Sequence, residues 1–306
     1  MTTLVFGHKS PDTDSTGSPI IWSWYLNEVM GIDASPALLG EPNTEALFML
    51  DHWKLDKPQI IDGVQPGQPV VIVDTNNPAE LPEDINQAEI KAIIDHHLLV
   101  GGLETKTPIH IVMEPVACTA TIMHKLIGEN MSRMPENVKG AMLTCILSDT
   151  LEFRSPTTTP EDQTIAQSLA KELGVEISDY AAQMFAAKSD VSSFSEAELL
   201  RMDSKEYEVG GMQFRVSVLE TTSPASVLNR KDALMAAMPG VAAQDGADQV
   251  LLFVVDILNE EATMLIPNAL SKSVAEKSFG ATVDGDTVVL PGIMSRKKQI
   301  IPNLKV

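Results

Sequence analysis

The chain has 306 residues, with 42 acidic against 22 basic side chains, so its formal net charge is −20. A hydrophobic content of 44% excludes intrinsic disorder, and the length favours two domains over one. The acidity argues against nucleic acid and anionic membrane as partners, because both repel a strongly negative protein.

Short apolar runs alternate with helical patterns over the first half of the chain. Strands are predicted at 4–6, 70–73, 92–94 and 109–112. The first helix is predicted to begin near Pro19, with Trp22, Leu26 and Val29 on one face. Further helices are predicted at 119–128, 136–148, 161–173 and 178–187. Strands that are apolar on both faces and separated by helices indicate a parallel sheet covered on both sides.

A polar, serine-rich stretch at 189–194 is predicted to be an interdomain linker. The segments beyond it are predicted as a helix near 195–203, a strand at 212–219, a helix near 224–238, and strands at 249–258 and 262–266. We therefore predict an α/β protein with a parallel-sheet domain over 1–188 and a smaller α/β domain over 195–306.

The N-terminus, the length of the apolar runs and the cysteines predict the cellular location of the protein. The N-terminus lacks the pattern of a signal peptide, and no apolar run is long enough to span a bilayer. Two cysteines, Cys118 and Cys145, cannot build a disulfide framework, and both lie in apolar contexts. We expect two core thiols and a cytoplasmic protein.

Acidic and histidine residues follow the predicted strands. His8, Asp12 and Asp14 come after the first strand, where open α/β sheets bind their ligands, although a polar turn explains these residues equally well. Asp74 ends the 70–73 strand, and in isolation a cap or turn residue is the better interpretation. Asp95, His96 and His97 follow a third strand, and two adjacent histidines there are difficult to explain by packing.

Asp149 closes an apolar run, where a buried carboxylate is costly unless it is paired, hydrogen-bonded or bound to a metal. Together the clusters supply four carboxylates and two imidazoles: Asp12, Asp14, Asp74, Asp149, His8 and His96. Four negative charges need compensating cations, which indicates a two-metal site. Oxygen and nitrogen ligands without thiolates suit Mn²⁺ better than structural zinc.

These motifs resemble a known family. His8-x-x-x-Asp12-x-Asp14, the strand-end Asp74 and the triplet Asp95-His96-His97 resemble the DHH phosphoesterase superfamily. The tail Ser295-Arg296-Lys297-Lys298-Gln299 resembles the motif of its manganese-dependent family II inorganic pyrophosphatases. The resemblance runs from residue 4 to residue 299, with the motifs in the family's order.

The resemblance implies six metal ligands: His8, Asp12, Asp14, Asp74, His96 and Asp149. It also implies that Asp74 bridges the ions, that His97 and Lys205 face the substrate, and that Asp95 orients another group instead of ligating. The resemblance further implies two Mn²⁺ ions per subunit, which Co²⁺ can replace, and Mg²⁺ bound with pyrophosphate. It also implies a homodimer through the first domain. The chain is too short for the family's inserted regulatory module.

The basic run Arg296-Lys297-Lys298 is usually a solvated surface feature, but apolar residues flank it, which is typical of a strand reaching a cleft. On a strand, Lys298 points away from Lys297. We expect pyrophosphate hydrolysis by a metal-bridged hydroxide, with Arg296, Lys297 and Lys205 neutralising phosphate charge. The active site then lies in the cleft between the domains and is completed by closure of the basic domain.

Three other functions fit parts of the sequence. A DHH-type phosphodiesterase or exonuclease shares the first domain, but its glycine-rich, histidine-containing motif is absent and aromatic residues are few, at 5%. An exopolyphosphatase needs the same metals and cations and is a closer alternative. A metal-dependent binding module without catalysis is the non-enzymatic one.

Overall fold

The first of two structural units is built on a sheet of six parallel strands. The computed structural model describes residues 1–306 and divides into Met1–Ala187 and Lys188–Val306. The strands are β1 (Thr3–Phe6), β2 (Ala34–Leu38), β3 (Gln59–Ile60), β4 (Pro69–Val73), β5 (Glu89–Asp95) and β6 (His110–Met113). Their order is β3-β2-β1-β4-β5-β6, and every neighbouring pair is parallel. Val70 to Val73 are all buried, which confirms the predicted sheet with two covered faces.

Six helices accompany this sheet: α1 (Thr13–Glu28), α2 (Thr44–His52), α3 (Thr119–Ile127), α4 (Glu136–Asp149), α5 (Pro160–Leu173) and α6 (Ile177–Lys188). The predicted start of the first helix is wrong by six residues. α1 begins at Thr13 because the side chain of Asp12 accepts a hydrogen bond from the Ser15 N–H at 2.9 Å, and Pro19 lies inside the helix. β2, β3 and α2 were not predicted from the sequence.

The second unit has a five-stranded mixed sheet. Its elements are α7 (Glu196–Met202), β7 (Ser204–Val209), β8 (Met212–Thr221), α8 (Pro224–Leu228), α9 (Lys231–Asp245), β9 (Gln249–Asp256), β10 (Glu261–Leu265), α10 (Ala269–Phe279), β11 (Thr287–Pro291) and α11 (Ile301–Asn303). The order is β11-β10-β9-β8-β7, with only β8 and β9 parallel. The helix predicted near 224–238 is two helices, and β7, α10 and β11 were not predicted.

The stretch predicted as a linker is tied to the second unit. Arg230 donates hydrogen bonds to the carbonyl oxygens of Val191 at 2.8 Å and Phe194 at 2.7 Å. The Ser189 and Thr222 hydroxyl groups lie 3.0 Å apart. This segment is therefore held by side chains and is not an open spacer.

The basic tail is not a strand, contrary to the prediction. Arg296–Ile300 forms one π-helical turn that leads into α11. The Gln299 side chain accepts the N–H groups of Met294 and Ser295, each at 2.9 Å, and donates to the Gly292 carbonyl at 2.5 Å. These local bonds fold the segment back on itself, so Lys297 and Lys298 do not alternate between two faces.

Among the helices of the structure, none combines the length and the apolar character that crossing a membrane requires.

Candidate metal centre

The predicted ligands of the first unit meet at one edge of its sheet. The strand order reverses between β1 and β4, and open α/β sheets bind ligands outside the carboxyl ends of the strands at such a point. His8, Asp12 and Asp14 follow β1, Asp74 follows β4, and His96 and His97 follow β5. Asp149 reaches the same place from the end of α4.

The turn after β1 is set by helix capping. Oδ1 of Asp12 caps α1, which leaves Oδ2 facing Nε2 of His8 at 3.6 Å. The hydroxyl oxygen of Ser15 accepts the His8 N–H at 2.8 Å. A Cβ atom at Gly7 would lie 1.9 Å from this hydroxyl oxygen, so the close approach requires glycine there. One capping residue therefore also supplies a candidate ligand.

Asp74 lies at the centre of the cluster and is 2% exposed. Its φ of 58° is in the left-handed region, and its N–H donates to the Ile94 carbonyl at 2.9 Å. Oδ1 is 3.4 Å from Nε2 of His96, and Oδ2 is 3.6 Å from Nε2 of His8. Its two oxygens thus face two different imidazoles, which is the arrangement that a carboxylate shared by two ions needs.

Three groups of side chains bring their ligand atoms within 4.8 Å of one another. They are His8 with Asp12 and Asp74; Asp14 with His96 and Asp149; and Asp74 with His96 and His97. The structure therefore brings together all six side chains that the sequence analysis proposed as ligands.

The electrostatics of the cluster favour bound cations. Burial, followed by the nearby charges of Asp14 and Asp12, raises the pKa values of Asp74 and Asp149 well above their ordinary range. Oδ2 of Asp149 is buried without a hydrogen-bond partner. Two divalent ions would balance the four carboxylates and supply a partner for this oxygen, so the residues present fit the metals that the motifs imply.

The imidazole of His96 is held in the form that binds metals. Burial lowers its pKa, so the neutral ring is favoured. Nδ1 lies 3.2 Å from the Val116 carbonyl, and because a carbonyl can only accept, Nδ1 carries the hydrogen. Nε2 consequently presents its lone pair towards Asp74.

His97 has a different environment. Its Nδ1 lies 2.9 Å from Oδ1 of the fully buried Asp95, which also accepts the His97 N–H at 3.1 Å. The hydrogen bond to Asp95 raises the pKa of His97, and the side chain is 51% exposed. With Nδ1 engaged, Nε2 remains for a solvent-side partner.

Asn76 is a member of this network that the sequence analysis missed. It donates to Oδ2 of Asp95 at 2.5 Å and to the Leu98 carbonyl at 3.0 Å, and it accepts the Val100 N–H at 2.8 Å. Asn76 therefore fixes both Asp95 and the loop after His97. In the sequence, Asn76 lies in Thr75-Asn76-Asn77-Pro78, a pattern that indicates only a turn.

Both cysteines are buried free thiols, as predicted. Burial raises the pKa of Cys118 and of Cys145 well above the ordinary range, so both thiols stay protonated and are not ready metal ligands. The centre is therefore a site of carboxylates and imidazoles.

The second unit gathers basic side chains of its own. Arg296 donates to the backbone oxygen and to Oδ1 of Asp203, both at 2.7 Å. Lys205 follows two residues later as an exposed residue of β7, and Lys297 is exposed beside Arg296. The structure thus brings Arg296 to the start of the strand that carries Lys205, whereas Lys297 and Lys298 have no described ion pair.

Comparison with known proteins defines the class first. Residues 2–148 match the DHH family N-terminal domain, and residues 182–306 match the DHHA2 domain. The two matches together describe a DHH-type protein with a DHHA2 second domain.

Full-length relatives narrow the class. The "Manganese-dependent inorganic pyrophosphatase" of Bacillus subtilis is 35% identical over 303 residues, covering 98% of this chain and 97% of the relative. A Deinococcus radiodurans protein named "Probable manganese-dependent inorganic pyrophosphatase" is 40% identical over 307 residues, with the same coverage. The crystal structure of a Methanococcus jannaschii protein described as a "putative family II inorganic pyrophosphatase" superposes with a TM-score of 0.63 at 31% identity, covering 99% of this chain and 98% of that one. The chain belongs to the manganese-dependent family II inorganic pyrophosphatases, which confirms the family and the hydrolase class expected from its motifs.

Proposed function

We propose that this protein hydrolyses inorganic pyrophosphate to two orthophosphates at a two-metal centre in its first unit. The observation that carries the proposal is Asp74, whose two carboxylate oxygens face the imidazoles of His8 and His96 separately. The full-length relatives named as manganese-dependent pyrophosphatases support this substrate and this metal.

Two Mn²⁺ ions are the proposed cofactors. His8 and Asp12 would hold one ion, Asp14, His96 and Asp149 the other, and Asp74 both. When bound, divalent ions lower the pKa of water towards neutrality and offset negative charge on phosphoryl oxygens. The remaining chemistry falls to the side chains around them.

His97 is the proposed proton donor and substrate contact. Asp95 holds its Nδ1 and raises its pKa, which favours the protonated ring. The half-exposed ring can then donate from Nε2 to a phosphate oxygen. Asn76 keeps Asp95 in place for this role.

The basic residues of the second unit are the proposed partners of the remaining phosphate charge. Arg296 offers a planar guanidinium whose orientation Asp203 fixes, and Lys205 and Lys297 offer point charges. We infer that they reach pyrophosphate when the second unit closes on the first. Closure of this kind excludes water and strengthens each charge-assisted contact.

Phosphate release from pyrophosphate and from tripolyphosphate, and mononucleotide release from a dinucleotide, assayed side by side with Mn²⁺, test the reaction. Pyrophosphate should be hydrolysed with much the highest kcat/KM. Faster release from tripolyphosphate would favour an exopolyphosphatase, and cleavage of the dinucleotide a phosphodiesterase. Activity on none of them would indicate a binding module.

Chelation should abolish activity, and Mn²⁺ or Co²⁺ should restore it better than Zn²⁺. The ligand set of carboxylates and imidazoles with protonated thiols favours the harder ions. Added Mg²⁺ should help further, because it accompanies pyrophosphate and offsets its charge. Phosphate release after each addition is the measurement, and full activity in a metal-stripped sample confirmed by elemental analysis would refute the mechanism.

We also propose a homodimer through the first unit. β6 is an edge strand of the sheet, and its Ile111 is exposed. Leu98 and Leu99 are 88% and 76% exposed, which is unusual for large apolar side chains. Sedimentation with metal present should show a species of twice the 33.1 kDa chain mass, and a purely monomeric sample would contradict this. The cytoplasmic location stays a prediction from the sequence.

A further inference from the structure

The segment Val116–Thr119, which enters α3, contacts three of the six candidate ligands. The Val116 carbonyl accepts from Nδ1 of His96. Thr119 contacts the other two, Asp14 and Asp74. No side chain of this segment was a candidate ligand, so its relation to the centre emerges only from the fold.

Thr119 makes its two contacts with two different groups. Its backbone N–H, one of the free donors at the start of α3, donates to Oδ2 of Asp14 at 2.7 Å. Its hydroxyl group donates to Oδ1 of Asp74 at 3.2 Å. Both contacts are buried, and both span long stretches of sequence.

The hydroxyl contact restrains the rotation of the Asp74 carboxylate. Oδ1 is the oxygen that faces His96, while Oδ2 faces His8. A donor fixed on Oδ1 holds each oxygen on its own side, and Oδ1 retains a second lone pair for an ion. A partial rotation of the carboxylate would move both oxygens away from the imidazoles that they face.

We propose that Thr119 is a positioning residue that fixes the carboxylates of Asp74 and Asp14 for the two metal ions. The inference rests on the proposed metal centre, since it concerns the same cluster. The ordinary alternative is a threonine that only stabilises a helix start. A threonine that stabilises a helix start forms its hydroxyl hydrogen bond with the nearby backbone. The Thr119 hydroxyl group instead donates to a carboxylate 45 residues away in sequence.

Thr119→Val tests the hydroxyl group directly. Valine keeps the branched shape and the N–H bond to Asp14 but cannot donate to Asp74. In the metal-stripped full-length chain, Mn²⁺ affinity measured by calorimetry should fall roughly 10- to 100-fold, as for other groups that orient metal ligands. Thr119→Ser, which retains the hydroxyl group, should bind Mn²⁺ as the wild type does. Thr119→Ala removes the same group with a smaller side chain, so the test does not depend on one variant folding.

Electron paramagnetic resonance gives a second readout, because two Mn²⁺ ions that share a carboxylate are magnetically coupled. Wild type and Thr119→Ser should show the coupled spectrum at two equivalents of Mn²⁺. Thr119→Val should show uncoupled Mn²⁺ at the same loading. A merely structural role for Thr119 predicts no change in this spectrum.

Thr121→Val is the matched control. Thr121 lies on the same helix, is also fully buried, and donates its hydroxyl group to Oδ1 of Asp162 at 2.6 Å. Asp162 keeps donors from Ala117 and Thr159 and is not a candidate ligand. Thr121→Val should therefore lose stability in urea unfolding while keeping the wild-type Mn²⁺ affinity.

The outcomes separate the two proposals. A wild-type chain that binds no pair of Mn²⁺ ions would overturn the proposed function itself. A wild type with two ions and a Thr119→Val of equal affinity would overturn only the role of Thr119. A loss that Thr119→Ser fails to restore, or that Thr121→Val shares, would also overturn it.

Discussion

Asp74→Asn should keep the fold but lose tight Mn²⁺ binding and most activity. Asparagine has the same shape and tolerates the left-handed backbone at φ 58°, so the substitution removes only the charge. Because the Asp74 carboxylate belongs to two groups of candidate ligands, the loss of Mn²⁺ affinity should be large. It should exceed the roughly 10- to 100-fold loss expected on removing a residue that only orients a ligand. Elemental analysis and steady-state kinetics measure both effects.

Candidate ligands that belong to only one group provide the comparison. Asp12 and Asp149 each belong to one group, so Asp12→Asn and Asp149→Asn should each weaken mainly one ion. The Asp74 variant should be the most impaired of the three in metal content. Near-normal metal stoichiometry in Asp74→Asn would show that the bridging assignment is wrong.

In the absence of metal, Asp74→Asn should be more stable to unfolding than the wild type. Burial and neighbouring carboxylates raise the pKa of folded Asp74, so the folded wild type retains its proton while the unfolded chain ionises. Wild-type stability from this group is therefore lost as pH rises from the ordinary aspartate range through the raised pKa. Asparagine does not titrate, and the stability advantage of metal-free Asp74→Asn should grow over the same pH interval in urea unfolding.

Arg296→Ala and Lys297→Ala should leave Mn²⁺ binding intact and reduce catalysis strongly. Each substitution removes the proposed charge-assisted contact with pyrophosphate, which is worth about 1.5–3 kcal/mol, or more where water is excluded. At roughly tenfold per 1.4 kcal/mol, kcat and kcat/KM should fall by about one to several orders of magnitude. Calorimetry with Mn²⁺ checks that the first unit is undisturbed.

Lys305→Ala is the control for charge, because Lys305 is an exposed cation near the same end of the chain. It should retain wild-type kinetics. Arg296→Lys should restore only part of the loss, because one ammonium group cannot reproduce the paired bonds to Asp203. Wild-type kinetics in Arg296→Ala and Lys297→Ala would mean that the basic run is a solvated surface.

Most of the sheet and its clusters could be predicted because their signals are local. Val70–Val73 is a continuous apolar run, and the adjacent histidines mark the end of β5. β2 was missed because Ser35 and Pro36 interrupt its apolar pattern. The start of α1 was missed because Thr13–Ser18 is polar, although tertiary packing buries it completely.

The remaining parts depend on contacts that no local pattern records. Gln299 folds the basic tail through its side chain, which an apolar flank cannot reveal. Asn76 and Thr119 are ordinary turn and helix residues until the fold brings them to Asp95 and Asp74. Sequence spacing thus identified the ionisable residues but not the neutral ones that hold them.

The candidate metal ligands lie early in the chain and are therefore synthesised before the basic residues of the second unit. All six lie between His8 and Asp149, within the first unit, which ends at Ala187. Domains generally fold as units, with the N-terminal one first as the chain leaves the ribosome. The nascent protein therefore acquires all six candidate ligands before Arg296 and Lys297 are translated, so capture of the ions can precede the appearance of the residues proposed to face the substrate.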